Sequence, residues 1–133
     1  MRTAIYCALF FFLAAGCAVA QPQPKPAFVT WDHQQVDLGT VKKGEIREMD
    51  FTLTNTSGED IKIDLVDACE CTTTDYPRGA IAPGKTATIH AVFDSAKKEE
   101  SETINIRVIF LNTDEQGNPR VETVGYSFVL ESR

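Results

Sequence analysis

The sequence predicts an all-β protein, an immunoglobulin-like antiparallel β-sandwich that follows an N-terminal export signal. Three observations support this fold. Several segments alternate apolar and polar residues with a period of two, which places one face of a strand on a core and the other in water. Turn residues separate these segments, and no segment of useful length shows the helical period. Such strands within about a hundred residues are typical of an antiparallel sandwich.

The first 20 residues have the layout of a secretory signal. Arg2 gives a short positive start, an uncharged apolar run covers 4–15, and Ala18-Val19-Ala20 forms a small-residue cleavage site. The apolar run is shorter than the ~20 residues that a membrane-spanning helix needs. We therefore expect the protein to be exported to the periplasm or cell envelope, or to be secreted.

Cys17 leaves two routes of processing open. The segment 14–17, Ala-Ala-Gly-Cys, resembles a bacterial lipobox, although a larger aliphatic residue is usual where Ala14 stands. Lipidation would make Cys17 the first residue of the mature chain, whereas cleavage after Ala20 would discard it with the signal. We favour plain cleavage, because the small residues that end at Ala20 fit it well.

The rest of the chain divides into a Pro-rich tether over 21–27 and one domain over 28–133. The formal net charge is −6. Clusters of Lys and Arg supply the affinity of proteins for nucleic acid and for anionic lipid, and this sequence has no basic stripe. We therefore expect no nucleic-acid partner, and contact with a membrane only through a lipid on Cys17.

The first half of the domain contains four extended segments. A short strand over 28–31 includes the single tryptophan, which we expect in the core, and extended chain over 36–41 precedes a turn at 43–45. Regular alternation then predicts strands over 46–54 and 60–66. The predicted core residues of these last two strands are Met49, Phe51, Leu53, Ile61, Ile63 and Leu65.

Three more strands are predicted over 86–93, 103–111 and 120–130. The first follows a Pro-Gly turn at 82–85, where Pro fixes φ at the second position and Gly supplies a positive φ at the third, as in type II. The outer face of the middle strand is also apolar near Leu111, so we expect that strand to be central or covered at one end. The predicted core residues are Ala87, Ile89, Ala91, Phe93, Ile104, Ile106, Val108, Phe110, Tyr126, Phe128 and Leu130.

The pair Cys69-Glu70-Cys71 follows the second of these alternating strands. Residues i and i+2 of a strand share one face with Cα atoms about 6.6 Å apart, and disulfides span about 4.4–6.8 Å. A bond between the two cysteines therefore needs a local bend. Export to an oxidising compartment favours a structural disulfide over free thiols.

Three other interpretations of the pair stay open. A thiol redox role requires a lowered thiol pKa, and the negative neighbours Glu70 and Asp67 disfavour a thiolate. Two thiolates also suit Cu(I) or Zn(II), but only His33 and His90 remain as candidate ligands. Alternation places His90 on the solvent face of its strand. Pairing with cysteines of another chain is the last interpretation.

The motifs of the chain resemble a known family. They are D-x-G-x-V-x-x-G-E over 37–45, F-x-L-T-N-T-S-G over 51–58, I-x-I-x-x-V over 61–66, A-C-E-C-T over 68–72, and I-A-P-G-K-T-A-T-I-x-A-V-F-D-S over 81–95. In this order they resemble the bacterial exported family called domain of unknown function 1573, which is similar to Ig-like modules of the Hydin and major-sperm-protein type. The resemblance implies an Ig-like fold, an envelope or secreted location and no catalytic residues.

The sequence gives no sign of an enzyme. It contains no G-x-S-x-G, no H-E-x-x-H and no Gly-rich phosphate loop. We therefore expect no catalytic residue, no bound metal and no cofactor. Our main hypothesis is a binding or assembly module of the bacterial envelope that contacts another protein or a surface polymer through strand edges or loops. The alternative is a thiol redox or metal-handling protein that uses Cys69 and Cys71.

Overall fold

The computed structural model describes residues 16–17 and 26–131 of the chain. This part contains eight β-strands, one 3-10 helix at Ser95–Lys97, and no helix long and apolar enough to cross a membrane. The strands are β1 Val29–Trp31, β2 Gln35–Lys42, β3 Ile46–Asn55, β4 Ile63–Asp67, β5 Thr72–Asp75, β6 Thr86–Asp94, β7 Glu102–Thr113 and β8 Pro119–Glu131. Most of the signal predicted over 1–20 and most of the tether lie outside the described residues. Within the signal, the structure describes Gly16 and Cys17, and Cys17 is exposed and free.

The strands form two four-stranded sheets that face each other. The first sheet has the order β1-β3-β6-β5, and the second has the order β2-β8-β7-β4. All strand pairs are antiparallel except β2 and β8, which run parallel. The chain passes from the edge of the first sheet to the edge of the second between Trp31 and Gln35. The predicted all-β class and Ig-like sandwich are confirmed, and β7 is a central strand, as the apolar residues on both of its faces indicated.

The core lies between the sheets and is built by the alternation seen in the sequence. Phe51, Ile89, Phe93, Ile106 and Tyr126 are fully buried, whereas their neighbours along each strand point outward. The predicted core residues of β3, β6, β7 and β8 are buried, except for the partly buried Leu130. The tryptophan of β1 is also only partly buried and packs against the rim of the core.

Leu65 was predicted to face the core, and that prediction is wrong. The pairing of β4 with β7 shifts by one residue between Ile63 and Leu65, which marks a β-bulge. One extra residue in a strand turns every later side chain to the opposite face. The bulge therefore places Val66 in the core and leaves Leu65 50% exposed on the outer face of the second sheet.

Strand β5 was not predicted, because Thr72–Asp75 has no apolar alternation. It pairs with β6 alone and forms the edge of the first sheet. Its side chains alternate between half-buried and exposed. The half-buried ones, Thr72 and Thr74, are hydroxyl-bearing, so apolar burial contributes little to this strand.

The predicted Pro-Gly turn connects this region to β6. The amide of Lys85 donates to the carbonyl of Ala82 at 3.0 Å, and Gly84 has a φ of 78°. Both features match the type II turn that the sequence predicted. The buried side-chain amide of Asn55 donates to the carbonyls of Glu59 and Ile81, which holds this end of the first sheet together.

Gly125 of β8 tests how closely β7 and β8 pack. A Cβ atom at this position would collide with the backbone carbonyl oxygen of Ile104, which cannot move without breaking the pairing of the two strands. We expect Gly125→Ala to lower the free energy of unfolding, measured by urea denaturation, by about 1–3 kcal/mol, the usual cost of overpacking. Gly79→Ala is the matched control, because nothing lies within 4 Å of its added Cβ. Equal stability of the two variants would contradict the close packing.

Candidate functional site

The cysteine pair lies where the chain leaves β4 in the second sheet and enters β5 in the first. Cys69 and Cys71 form a disulfide with their Cα atoms 5.2 Å apart. That separation is shorter than the roughly 6.6 Å of extended chain, because the segment is bent. The amide of Thr72 donates to the carbonyl of Cys69 at 3.0 Å and closes the bend. The disulfide therefore forms a corner between the sheets.

Hydroxyl groups surround the inner side of this corner. The Thr72 hydroxyl lies 2.6 Å from the Tyr126 hydroxyl and 3.4 Å from each sulfur of the disulfide. Burial raises the pKa of Tyr126 to about 12, with the hydrogen bond to Thr72 acting in the opposite direction, so the phenol is neutral at physiological pH. This hydroxyl pair links the edge strand β5 to the centre of the second sheet.

The surroundings of the disulfide do not support the redox or metal-handling hypothesis. Cys71 is only 4% exposed. Among the described residues no group of three or more His, Cys, Asp or Glu side chains could hold a metal ion. His33 stands against the ring of Phe51 and beside Asp32. The structure therefore does not bring this candidate ligand to the cysteines.

His90, the other candidate ligand, lies on the outer face of the first sheet, as alternation predicted. Its Nδ1 atom is 2.6 Å from Asp50, its Nε2 atom is 3.4 Å from Glu48, and Asp75 occupies the directly opposed position on β5. The hydrogen bond to Asp50 raises the pKa of His90, partly offset by desolvation, and the hydrogen bond to Glu48 raises it further. This face is rich in threonine, and Ile46 and Val92 are apolar residues on it.

The outer face of the second sheet carries a different surface. Leu65, Ile109 and Val121 lie side by side on β4, β7 and β8, and Leu111 lies one outward position further along β7. Leu65, Val121 and Leu111 are 50%, 46% and 54% exposed. We call these four residues the apolar cluster.

The edge strands of both sheets are poorly suited to pairing with another strand. β1 has three residues, and β5 has four and is soon followed by Pro77. β2 and β4 each contain a bulge, and in β2 the bulge is formed by Gly39 with a φ of 67°. Short strands and bulges are devices that discourage edge-to-edge association.

Taken together, the fold and the disulfide corner define an Ig-like β-sandwich module. A family model described as protein of unknown function (DUF1573) matches residues 29–124. The chain belongs to this family, which confirms the resemblance seen in the motifs. The comparison with curated proteins found no match.

Solved structures with the same fold include PapD-like domains. The PapD-like domain 7 of human CEP192 has a TM-score of 0.63 at 12% identity, with 86% of this chain and 92% of that chain covered. A protein of unknown function from Porphyromonas gingivalis W83 has a TM-score of 0.61 at 19% identity, with 77% and 46% covered. The periplasmic chaperone SfaE has a TM-score of 0.52 at 12% identity, with 77% and 58% covered. At these identities the likeness concerns the fold alone.

The sequence located the cysteines but not the residues that surround them. Tyr126 was predicted only as a core residue, and Thr72 only as part of a polar run. The one available signal was the hydroxyl of Tyr126 on an inward face, since a buried tyrosine hydroxyl needs a hydrogen-bond partner. The sequence indicated the apolar outer face of β7 near Leu111, but it missed Leu65, because the bulge in β4 is not visible in the alternation.

The hydroxyl pair of the corner is open to test. We expect Tyr126→Phe to lower the free energy of unfolding by about 1 kcal/mol, because it removes a buried hydrogen bond and leaves the Thr72 hydroxyl without its closest partner. In a double-mutant cycle, the variant that combines Tyr126→Phe with Thr72→Val should lose less free energy of unfolding than the two single variants lose together. Tyr76→Phe is the control, because no hydrogen bond of its hydroxyl is found in the described part of the chain. Strict additivity would mean that the two hydroxyls do not interact.

The carboxylates around His90 predict a pH dependence. A histidine whose pKa is raised on folding stabilises the folded state. This stabilisation is complete below the pKa of the unfolded state, 6.5, and is lost as the pH rises through the pKa of the folded state. Between about pH 6 and about pH 8, we expect the free energy of unfolding to fall less in His90→Asn than in the unmodified protein. Urea denaturation at the two pH values measures it, with His33→Asn as the control. An unchanged pH dependence in His90→Asn would rule out this coupling.

Proposed function

We propose that the protein is an exported, non-enzymatic Ig-like module of the bacterial cell envelope that binds an extended apolar segment of another protein. The observation that carries this proposal is the apolar cluster on the outer face of the second sheet. Contiguous apolar patches on the surface of a folded domain mark interaction sites more often than isolated apolar residues do.

Two features support an exported location. The first 20 residues have a positive start, an apolar run and the Ala18-Val19-Ala20 cleavage site. The disulfide of Cys69 and Cys71 is suited to the oxidising conditions outside the cytoplasm. A periplasmic chaperone shares the fold, which is in keeping with a protein partner in the envelope.

The size of the apolar cluster favours a short segment over a second folded copy. Stable interfaces bury about 800 Å² on each partner, and four partly exposed aliphatic side chains on one end of one sheet supply much less. Their positions on three adjacent strands, spaced about 4.8 Å apart, form a band across the sheet. An extended segment that crosses the strands can place alternate apolar side chains along this band.

Site-specific photo-crosslinking tests the proposal in the native envelope. We expect a crosslinker at Leu111 to give one discrete product, because its side chain is at the open end of the apolar cluster. Leu65→Ser should weaken this product severalfold by interrupting the band. The matched control is a crosslinker at Val129, which is 57% exposed on the outer face of the same sheet but lies at its opposite end.

The outcomes separate the alternatives. A product whose crosslinked peptide is an apolar segment of another envelope protein supports the proposal. A crosslinked pair of copies of this chain, or equal products at Leu111 and Val129, would contradict it. The intact mass of the same preparation tests export: a chain that begins at Gln21, or at a lipidated Cys17, agrees with it, and a retained Met1 does not.

A further inference from the structure

Arg120 occupies an unusual position at one end of the sandwich. It is the second residue of β8, on the inward side of the strand, and its guanidinium group lies over the ring of Phe28 at 5.0 Å from the ring centre. Phe28 in turn meets Phe110 edge-on, with the ring centres 5.0 Å apart. The Phe28 ring therefore covers one face of the guanidinium, and Phe110 supports that ring.

The charge of Arg120 has no partner among the described residues. Its Nε atom is buried and makes no hydrogen bond, and no carboxylate forms an ion pair with it. In contrast, Arg47 pairs with Glu45 and Arg107 pairs with Asp67, each at 3.0 Å. In a chain with 19 acidic and 13 basic residues, carboxylates are abundant. The guanidinium group is therefore held against the Phe28 ring without a carboxylate partner among the described residues.

A cavity opens beside this guanidinium group. It has a volume of about 340 Å³ and is lined by Pro26, Phe28, Ser57, Glu59 and Arg120. This volume is at the lower end of the range for small-ligand sites, about 300–1,000 Å³. The carboxylate of Glu59 accepts from the side-chain amide of Asn112 at 3.4 Å, so it has a partner other than Arg120.

We infer that this cavity binds a carboxylate group through Arg120. The two Nη groups of a guanidinium form a planar fork that matches the two oxygens of a carboxylate, and in Arg120 they are the N–H groups that a ligand can reach, because Nε is buried. The Phe28 ring fixes the plane of that fork, and the cavity gives room for the atoms attached to the carboxylate. Glu59 on the cavity wall repels anions, so a group with a single negative charge fits better than a phosphate dianion. The carboxylate can come from the end of a peptide chain or from an acidic side chain.

This site goes beyond the proposed binding of an apolar segment and does not depend on it. The apolar cluster is on the outer face of the second sheet, whereas the cavity opens at the end of the sandwich between the sheets. A crosslinking result at Leu111 therefore leaves the Arg120 site untouched, and the reverse also holds.

Nuclear magnetic resonance of the arginine side chains tests the inference on the unmodified protein. The Nε–H signal of Arg120, assigned by its loss in Arg120→Lys, should shift in a saturable way when acetate is added at constant ionic strength. The signals of Arg47 and Arg107 are internal controls, because both arginines already have carboxylate partners. We expect Arg120→Lys to weaken acetate binding, followed through the backbone amides around Phe28, by roughly tenfold.

Two further comparisons define the ligand. N-acetylglycine carries a terminal carboxylate, the α-amide of N-acetylaspartic acid carries only a side-chain carboxylate, and N-acetylglycinamide carries none. Tighter binding of one of the first two identifies the source of the carboxylate, and both results support the inference. It is overturned if acetate leaves the Arg120 signal unchanged, if Arg47 and Arg107 shift equally, if the amide binds as well as the acids, or if inorganic phosphate binds more tightly than acetate.

Discussion

The contact of Phe93 with Tyr126 and Phe128 joins the two sheets, and most of the structure depends on it. The ring centres lie 5.0 Å and 4.6 Å apart, and all three side chains are buried. Phe93 belongs to β6 at the centre of the first sheet, and the other two belong to β8 at the centre of the second. Because this packing fixes Tyr126, it also fixes the hydroxyl that reaches Thr72. The disulfide corner is therefore positioned by contacts between the sheets as well as by the hydrogen bond from Thr72 to Cys69 within the loop.

The two outer faces of the sandwich differ in the side chains that cluster on them. On the first sheet, threonines and the His90 cluster present hydrogen-bonding groups and negative charge to water. On the second sheet, the bulge in β4 turns Leu65 outward beside Ile109. A single extra residue thus moves an aliphatic side chain from the core to the surface and creates a band that an extended segment can contact. The edges, by contrast, are short or bulged, so the face is the part of this sheet that remains available.

Much of the fold is predictable from the sequence, because alternation with a period of two is a local property. It identified β3, β6, β7 and β8 and nearly all of their core residues. It failed where the determining contact is distant in sequence. Thr72–Asp75 forms a strand because β6 and Tyr126 supply its hydrogen bonds, and no pattern within four polar residues reveals that. The contact of Arg120 with Phe28 likewise joins residues 92 positions apart along the chain, and no local pattern reveals it.

The parallel pairing of β2 with β8 has a consequence for how the chain folds. It joins Gln35 to Gly125, two residues near opposite ends of the domain. Contacts between such distant residues are slow to form, because a long loop must close before they become favourable. Without β8, both β2 and β7 lack their neighbour in the second sheet. The second sheet therefore cannot be completed until β8 joins it, and β2 stays unpaired until then.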